Sequence, residues 1–417
     1  MEKYIINGGY KLSGEISIQG AKNSVLPILA ATVISGGTSI VSNIPKLRDV
    51  DMMVKILSSL GADVSLEGDV LVINSSQINK IEVPEELVRE MRSSIIIMGA
   101  MLARFGEVKI AFPGGCEIGP RPIDLHLKSL RQMGAVIEEA HGFLDCKTTG
   151  LKGCEIQLDY PSVGATENIM LAAVTAEGVT TIRNAAREPE IIDLQHYLNE
   201  AGARVVGAGT SIITIEGVES LNDCNHRIIP DRIVAGTYMT AAAITKGEII
   251  VKDIITDHLL SIIAKLREAG AIIYANGSAL KVIGPNKLYA LEMLQTLPYP
   301  GFPTDMQAQL MALLTIANGT SIVNETIFEN RFKHAEELTR MGASIKTFGK
   351  VAVVKGVKEL TGAKVSAKDL RGGAALVLAG LVAQGTTEIE NIYHINRGYE
   401  SMEENLNKLG ANIKTIK

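Results

Sequence analysis

The chain has 417 residues, of which 46% are hydrophobic and 21% charged, and its formal net charge at pH 7 is −5. That length exceeds what one hydrophobic core normally supports, so two domains are expected, and the acidic balance argues against nucleic acid as a partner. The N-terminus has no apolar signal core and no apolar run is long enough for a bilayer. With four scattered cysteines, these features predict a protein of the reducing cytoplasm that does not touch membranes.

Neither the cysteines (Cys116, Cys146, Cys154, Cys224) nor the histidines fall into a ligand spacing, so no metal is expected. A Gly-Ala pair before a strand-like segment recurs at Gly61, Gly134, Gly202, Gly270, Gly342 and Gly410. The repeats lie roughly 70 residues apart and use up the whole chain. Each pair closes an amphipathic helix. Leu259, Ile262, Ile263 and Leu266 make the apolar stripe of the fourth, and Met402, Leu406 and Leu409 that of the sixth. The glycine stands where a helix C-cap belongs. A second glycine opens an alternating strand in each repeat, at Gly37, Gly106, Gly178, Gly247, Gly319 and Gly385. Upstream of each lies a helix apolar nearly all round, over 24–34, 94–102, 169–176, 233–244, 306–317 and 374–383. Such a helix must be buried on every side.

Buried helices inside and half-wet sheets outside predict an α/β fold, a two-domain inside-out barrel built from six repeats, three per domain. The seam falls near 225–230.

The leading turns of the buried helices carry polar residues: Lys22-Asn23, Arg92 to Ser94, Ser162 to Thr166, Asp231-Arg232, Thr304-Asp305, and Asp369 to Gly373. Ser162, Thr304, Asp305 and Asp369 suit N-caps. Lys22, Arg92 and Arg371 do not, because a cation opposes the positive end of the helix dipole, and an anionic ligand justifies them. Arg331 and Arg397 read as anion contacts or as surface ion pairs. If the repeats pack in one orientation, these ends gather at the mouth of each domain, and two facing domains enclose a cleft for phosphates and carboxylates.

Residues 112–122, Phe112-Pro113-Gly114-Gly115-Cys116-Glu117-Ile118-Gly119-Pro120-Arg121-Pro122, exclude a helix or a central strand by their glycines and prolines. A mobile flap is expected, with Cys116 at its tip. Taken alone, that thiol is either an unreactive surface cysteine or one whose pKa Arg121 lowers.

Gln19-Gly20-Ala21-Lys22-Asn23-Ser24, the run from Pro113 to His126, Ser162-Val163-Gly164-Ala165-Thr166, Gly301-Phe302-Pro303-Thr304-Asp305-Met306-Gln307 and Asn396-Arg397-Gly398-Tyr399-Glu400 resemble UDP-N-acetylglucosamine 1-carboxyvinyltransferase, closest to the forms of low-GC Gram-positive bacteria. The resemblance runs from residue 3 to the C-terminus. It implies a two-domain inside-out barrel, with domain boundaries at 22–229 for the domain carrying the Cys116 flap, and 1–21 with 230–417 for the other. It also implies the first committed step of peptidoglycan synthesis, in which enolpyruvyl passes from phosphoenolpyruvate to the 3′-hydroxyl of UDP-N-acetylglucosamine and phosphate is released, with no cofactor. By the same resemblance Lys22 and Asn23 contact phosphoenolpyruvate. Arg92, Arg121, Pro122, Ile123, Asp124 and Leu125 contact the nucleotide sugar, with Arg121 also near the phosphoenolpyruvate phosphate, and Ser162, Val163 and Gly164 contact the nucleotide sugar's diphosphate. Asp305 and Ile327 contact the sugar, while Arg331, Asp369, Arg371 and Arg397 grip the enolpyruvyl carboxylate and phosphate. Cys116 is then the proton donor, and the thiol that fosfomycin alkylates, and Asp305 is the candidate base. Some members of the family carry lysine where this chain has Tyr160, which bears on one diphosphate contact.

The chemistry agrees with these residue types. Addition needs a proton delivered to C3 while the hydroxyl attacks C2, and guanidinium groups suit both carboxylate and phosphate. The alternatives are a 5-enolpyruvylshikimate-3-phosphate synthase-like transferase and a non-enzymatic sixfold-repeat nucleic-acid clamp. The Gly-Gly-Cys flap and Ser-Val-Gly-Ala-Thr argue against the first, and a clamp requires a basic lining.

Overall fold

The structure is a computed structural model that describes residues 2–113 and 123–416. Six buried helices form where the apolar runs predict them. They are Lys22–Ser35, Ile97–Phe105, Val163–Ala173, Arg232–Ile244, Gln307–Leu314 and Leu370–Val382. The second and fifth are led by 3-10 turns, Arg92–Ile96 and Thr304–Met306. In the first helix every residue from 24 to 34 is buried, as a segment without a polar face requires.

The amphipathic helices are Arg48–Leu60, Asp124–Gln132, Pro189–Glu200, Leu260–Glu268, Lys333–Arg340 and Met402–Lys408. The glycines of all six Gly-Ala pairs adopt the left-handed conformation, with φ between +93° and +113°. A side chain is strained there, which is why the motif repeats so strictly. The second glycine series divides. Gly106, Gly178, Gly319 and Gly385 take positive φ, but before Gly37 and Gly247 the turn is made by Gly36 and Lys246. Gly37 and Gly247 are needed for room instead, because a Cβ there would lie 2.0 Å from Asp223 Oδ1 and 2.3 Å from the Leu12 carbonyl oxygen.

The strands form six separate small sheets among the described residues, so the expected barrels are not closed by a continuous ring of hydrogen bonds, and each sheet instead stands as a separate layer. Within a repeat the strand after the buried helix pairs antiparallel with the last strand of the hairpin, as Val179–Arg183 does with Ile212–Glu216, and parallel with a leading strand, here Glu155–Gln157. The second repeat keeps only an isolated parallel bridge, Glu82 to Lys109, in place of a leading strand. The leading strands of the first and fourth repeats are exchanged. Ser13–Ser17 pairs with Glu248–Lys252, and Cys224–Arg227 pairs with Thr38–Ser42. The sixth repeat is completed from the far end of the chain, where Lys3–Asn7 lies antiparallel between Thr386–Glu390 and Asn412–Ile416.

Contacts divide the described residues into two compact units, 2–19 with 230–416, and 20–113 with 123–229. Each has its own hydrophobic core centred on its three buried helices.

Candidate active site

In the unit formed by 2–19 and 230–416, the leading turns of the buried helices converge. Asp305 accepts hydrogen bonds from Arg331 Nη2 at 2.6 Å and from Arg371 Nη2 at 3.0 Å. The arginine side chains are only 4% and 3% exposed, against 26% for the carboxylate. Burial works against the Arg371 charge, but the carboxylate of Asp305 and then the neighbouring Tyr399 and Asp231 outweigh it, so its pKa is raised overall. The Arg371 guanidinium lies 5.5 Å from the Tyr399 ring centroid, and the Tyr399 hydroxyl is 2.9 Å from that of Thr237. Arg331 Nε and Arg371 Nε and Nη1 are buried without a hydrogen-bond partner, which leaves this two-cation, one-anion cluster with unspent donors.

The expected caps separate by position. Asp369 caps its helix, accepting from the Arg371 and Gly372 amides, and Asp231 caps another, accepting from Ile233 and Val234. Asp305 and Thr304 do not, because Pro303 holds the N-cap position of the 3-10 turn. Their side chains turn to Arg331 and Arg371, and to Glu325. Ile327, a predicted sugar contact, is half-buried in the loop after Glu325, and Arg397 is half-buried at the end of the 3-10 turn Ile392–Arg397. Deeply buried His334 has both ring nitrogens without a partner, and burial pushes it down to about 4, with Arg331 adding to the shift and Asp369 opposing it.

In the other unit Lys22 Nζ lies 3.3 Å from Asp49 Oδ2, a carboxylate only 4% exposed. Thus Lys22 and Arg371, two of the cations that the sequence pairs with an anionic ligand, each have a protein carboxylate. Asn23 is half-buried beside Lys22. Ser24 donates to Asp193 Oδ2, whose other oxygen is 3.0 Å from His226 Nε2, and His226 Nδ1 is 2.7 Å from Glu200 Oε2. Burial opposes the charge on His226, but the two carboxylates raise its pKa. Ser162 is the N-cap of Val163–Ala173, accepting from the Ala165 amide. Beside that turn stands His126, whose ring would contact a Cβ on Gly164 at 3.1 Å. Its Nδ1 is 2.9 Å from Asn168 Nδ2, and burial followed by the charge of Arg92 pushes it down to about 4. Ile123 is buried, Leu125 half-buried and Asp124 exposed at the start of Asp124–Gln132.

Cys116, Arg121 and Pro122 lie outside the described residues. Burial pushes the Cys146 thiol up to about 12 and the Cys224 thiol up to about 11, and raises Cys154 as well, so none of these is an activated thiol. Among the described residues no three His, Cys, Asp or Glu side chains cluster as a metal site needs, and no helix is long and apolar enough to cross a membrane. Sequence reasoning missed Asp49, Asp193, His226, His126 and Glu325. Each is a polar residue in an ordinary element, and only its burial marks it.

Residues 6–406 match the family described as EPSP synthase (3-phosphoshikimate 1-carboxyvinyltransferase). UDP-N-acetylglucosamine 1-carboxyvinyltransferase 2 of Caldanaerobacter subterraneus subsp. tengcongensis is 56% identical over 416 residues, covering 100% of both chains. UDP-N-acetylglucosamine 1-carboxyvinyltransferase 1 of Symbiobacterium thermophilum is 54% identical, covering 100% of this chain and 95% of the relative. The chain belongs to the UDP-N-acetylglucosamine 1-carboxyvinyltransferase family. It is therefore a transferase. Among solved structures, the enolpyruvyl transferase NikO from Streptomyces tendae matches with a TM-score of 0.90 at 25% identity, over 99% of this chain and 98% of its own. EPSP synthase from Acinetobacter baumannii shares the fold at a TM-score of 0.76 and 18% identity. The inside-out α/β architecture read from the repeats is thus the fold of these carboxyvinyltransferases.

Proposed function

We propose that this family member transfers the enolpyruvyl group of phosphoenolpyruvate to the 3′-hydroxyl of UDP-N-acetylglucosamine, releasing phosphate. The observation that carries the reading is the Asp305–Arg331–Arg371 cluster, a carboxylate flanked by two buried guanidinium groups with donors to spare. Such a cluster suits a substrate that brings both a carboxylate and a phosphate, each of which accepts paired guanidinium donors. The naming of the relatives supports the acceptor.

In the addition step the acceptor oxygen bonds to C2 of phosphoenolpyruvate, the C2–C3 π pair takes a proton at C3, and the hydroxyl proton leaves to a base. In the elimination step the C2–O bond to phosphate breaks, C3 gives up a proton, and the double bond reforms. Cys116 is the proposed proton donor to C3, and Asp305 the proposed base. While it bridges Arg331 and Arg371, the Asp305 carboxylate is engaged on both oxygens. An incoming anion that takes up those guanidinium groups frees it for the hydroxyl. Lys22, Asn23, Asp369 and Arg397 are assigned to the phosphoenolpyruvate anion. Arg92, Arg121, Pro122, Ile123, Asp124, Leu125, Ser162, Val163, Gly164 and Ile327 are assigned to the nucleotide sugar. The proposed domains are 22–229 and 1–21 with 230–417, which the two compact units support to within a few residues, and the proposed compartment is the cytoplasm.

The test is phosphate release from phosphoenolpyruvate with UDP-N-acetylglucosamine, run beside the same assay with shikimate 3-phosphate. Release with the nucleotide sugar alone supports the reading. Release only with shikimate 3-phosphate overturns it.

A further inference from the structure

Glu325 is fully buried at the end of the strand Thr320–Asn324, and both of its oxygens are used. Oε1 accepts from the Thr296 hydroxyl at 2.8 Å, the Ile327 amide at 2.9 Å and the Phe328 amide at 3.2 Å. Oε2 accepts from the Thr304 hydroxyl at 2.8 Å. A carboxylate is costly to bury unless it is this well satisfied, so its environment is built to hold it. Its partners are also specific. Thr304 directly precedes Asp305, and its carbonyl oxygen lies 3.5 Å from Arg331 Nη2. The ring of Phe328 faces the Arg331 guanidinium at 5.4 Å. Glu325, Thr304, Asp305, Arg331 and Phe328 therefore close a loop of contacts, and Glu325 is its one member that holds both the 327–328 backbone and the turn that carries Asp305.

We infer that Glu325 is a positioning residue, which fixes the Ile327–Phe328 backbone against the acceptor sugar and, through Thr304, sets the aim of Asp305. The assignment rests on the proposed function for its substrates but not for its geometry. Two neighbours make the second anchor distinct from simple packing. Gln309 Nε2 donates to the Asp305 carbonyl at 2.8 Å, so the backbone there is already pinned, and Thr304 adds a side-chain restraint on the other side of the turn. Thr296 in turn receives the Thr326 amide at 2.9 Å, so Glu325 and Thr296 together order 326–328.

The experiment uses Glu325→Gln, Thr304→Val and the double variant in the full chain. Glu325→Gln keeps shape and one acceptor oxygen but loses the charge that strengthens all four bonds. The expected result is a KM for UDP-N-acetylglucosamine raised about tenfold with little change in that for phosphoenolpyruvate, together with a kcat lowered roughly ten- to hundredfold. Thr304→Val should lower kcat without moving the nucleotide-sugar KM, and the double variant should lose no more kcat than Glu325→Gln alone, because both act along one path. Glu325→Asp should not rescue, since the shorter side chain cannot reach both anchors. A second readout needs no turnover: hydrogen exchange at the Ile327 and Phe328 amides should accelerate in Glu325→Gln while the core of the same unit stays protected. Equal shifts in both KM values, additive kcat losses, or unchanged exchange at those two amides overturns the assignment. If the wild-type chain shows no transfer to the sugar nucleotide, the functional reading fails, and the exchange result still decides this one.

Discussion

Asp305 bridges two buried guanidinium groups, so replacing it changes more than a base. In Asp305→Asn the amide cannot take the hydroxyl proton, and turnover should fall roughly a hundredfold or more in a phosphate-release assay. The same change leaves Arg331 and Arg371 buried without their carboxylate, which costs about 3 kcal/mol. Inorganic phosphate should therefore raise the melting temperature of Asp305→Asn more than that of the wild type, without restoring turnover. Equal stabilisation of the two would show that these arginines are not an anion pocket. Lys22 needs a different substitution from the one its sequence position suggests. Removing its charge breaks the ion pair with the buried Asp49 carboxylate, so Lys22→Gln mixes stability with binding. Lys22→Arg keeps the ion pair but replaces a compact ammonium by a planar fork. It should melt close to the wild type while the KM for phosphoenolpyruvate rises about tenfold or more, as steady-state kinetics would show.

Within the repeated elements, glycine serves two separate purposes. In the Gly-Ala pairs the backbone needs positive φ. Gly134 has φ +98° and nothing closer than 3.8 Å to an added Cβ, so Gly134→Ala isolates the conformational cost, about 1–2 kcal/mol. The residue after the last hairpin strand needs room instead. At Gly8, Gly217, Gly284 and Gly356 a Cβ would fall 2.3, 1.7, 2.4 and 1.5 Å from carbonyl oxygens at the C-terminal ends of the buried helices or just beyond them. Ser75 takes this position in the first repeat and donates its hydroxyl to the Thr32 carbonyl at 2.8 Å. Gly217→Ala should thus cost more than Gly134→Ala, about 3 kcal/mol or beyond, because backbone has to move. Denaturant unfolding of the two variants side by side decides it, and equal costs would mean that the hairpin end can simply shift.

At the level of the whole molecule, the buried histidines contribute to the response to acid. His126 and His334, one in each unit, are held near 4 against an ordinary value of 6.5. Between those values the unfolded chain binds more protons than the folded one, so stability is full above about 6.5 and is lost as pH falls towards 4, by at most about 1.4 kcal/mol per pH unit for each histidine. His226 has the opposite sign. Its raised pKa adds stability that is complete below 6.5 and disappears as pH rises through the folded value. Unfolding free energies measured from pH 4 to 7 should fall steeply towards acid, and His334→Gln should flatten that slope. An unchanged slope in the variant would mean that His334 is not held neutral.

The sequence by itself determined the repeat period and the layering of this protein. Six nearly all-apolar helices can only be buried, and six Gly-Ala pairs can only close helices, so period and layering were legible without coordinates. The polar residues at the heads of the apolar helices were legible as candidates for a related reason, because the buried faces around them offer no packing role for a charge. Tertiary structure alone decided which partners those residues take. Nothing in the local pattern says that Asp305 faces two arginines instead of capping its own turn, since Asp231 and Asp369 look alike in sequence and do cap. Nothing local shows that the strands 13–17 and 224–227 change places, or that Lys3–Asn7 completes the last sheet, since pairing is chosen by backbone donors and acceptors that every residue carries alike. Glu325 is the sharpest case. A glutamate after a strand reads as a solvated surface residue, and only the fold, by bringing Thr296, Thr304 and two backbone amides around it, makes it a buried anchor.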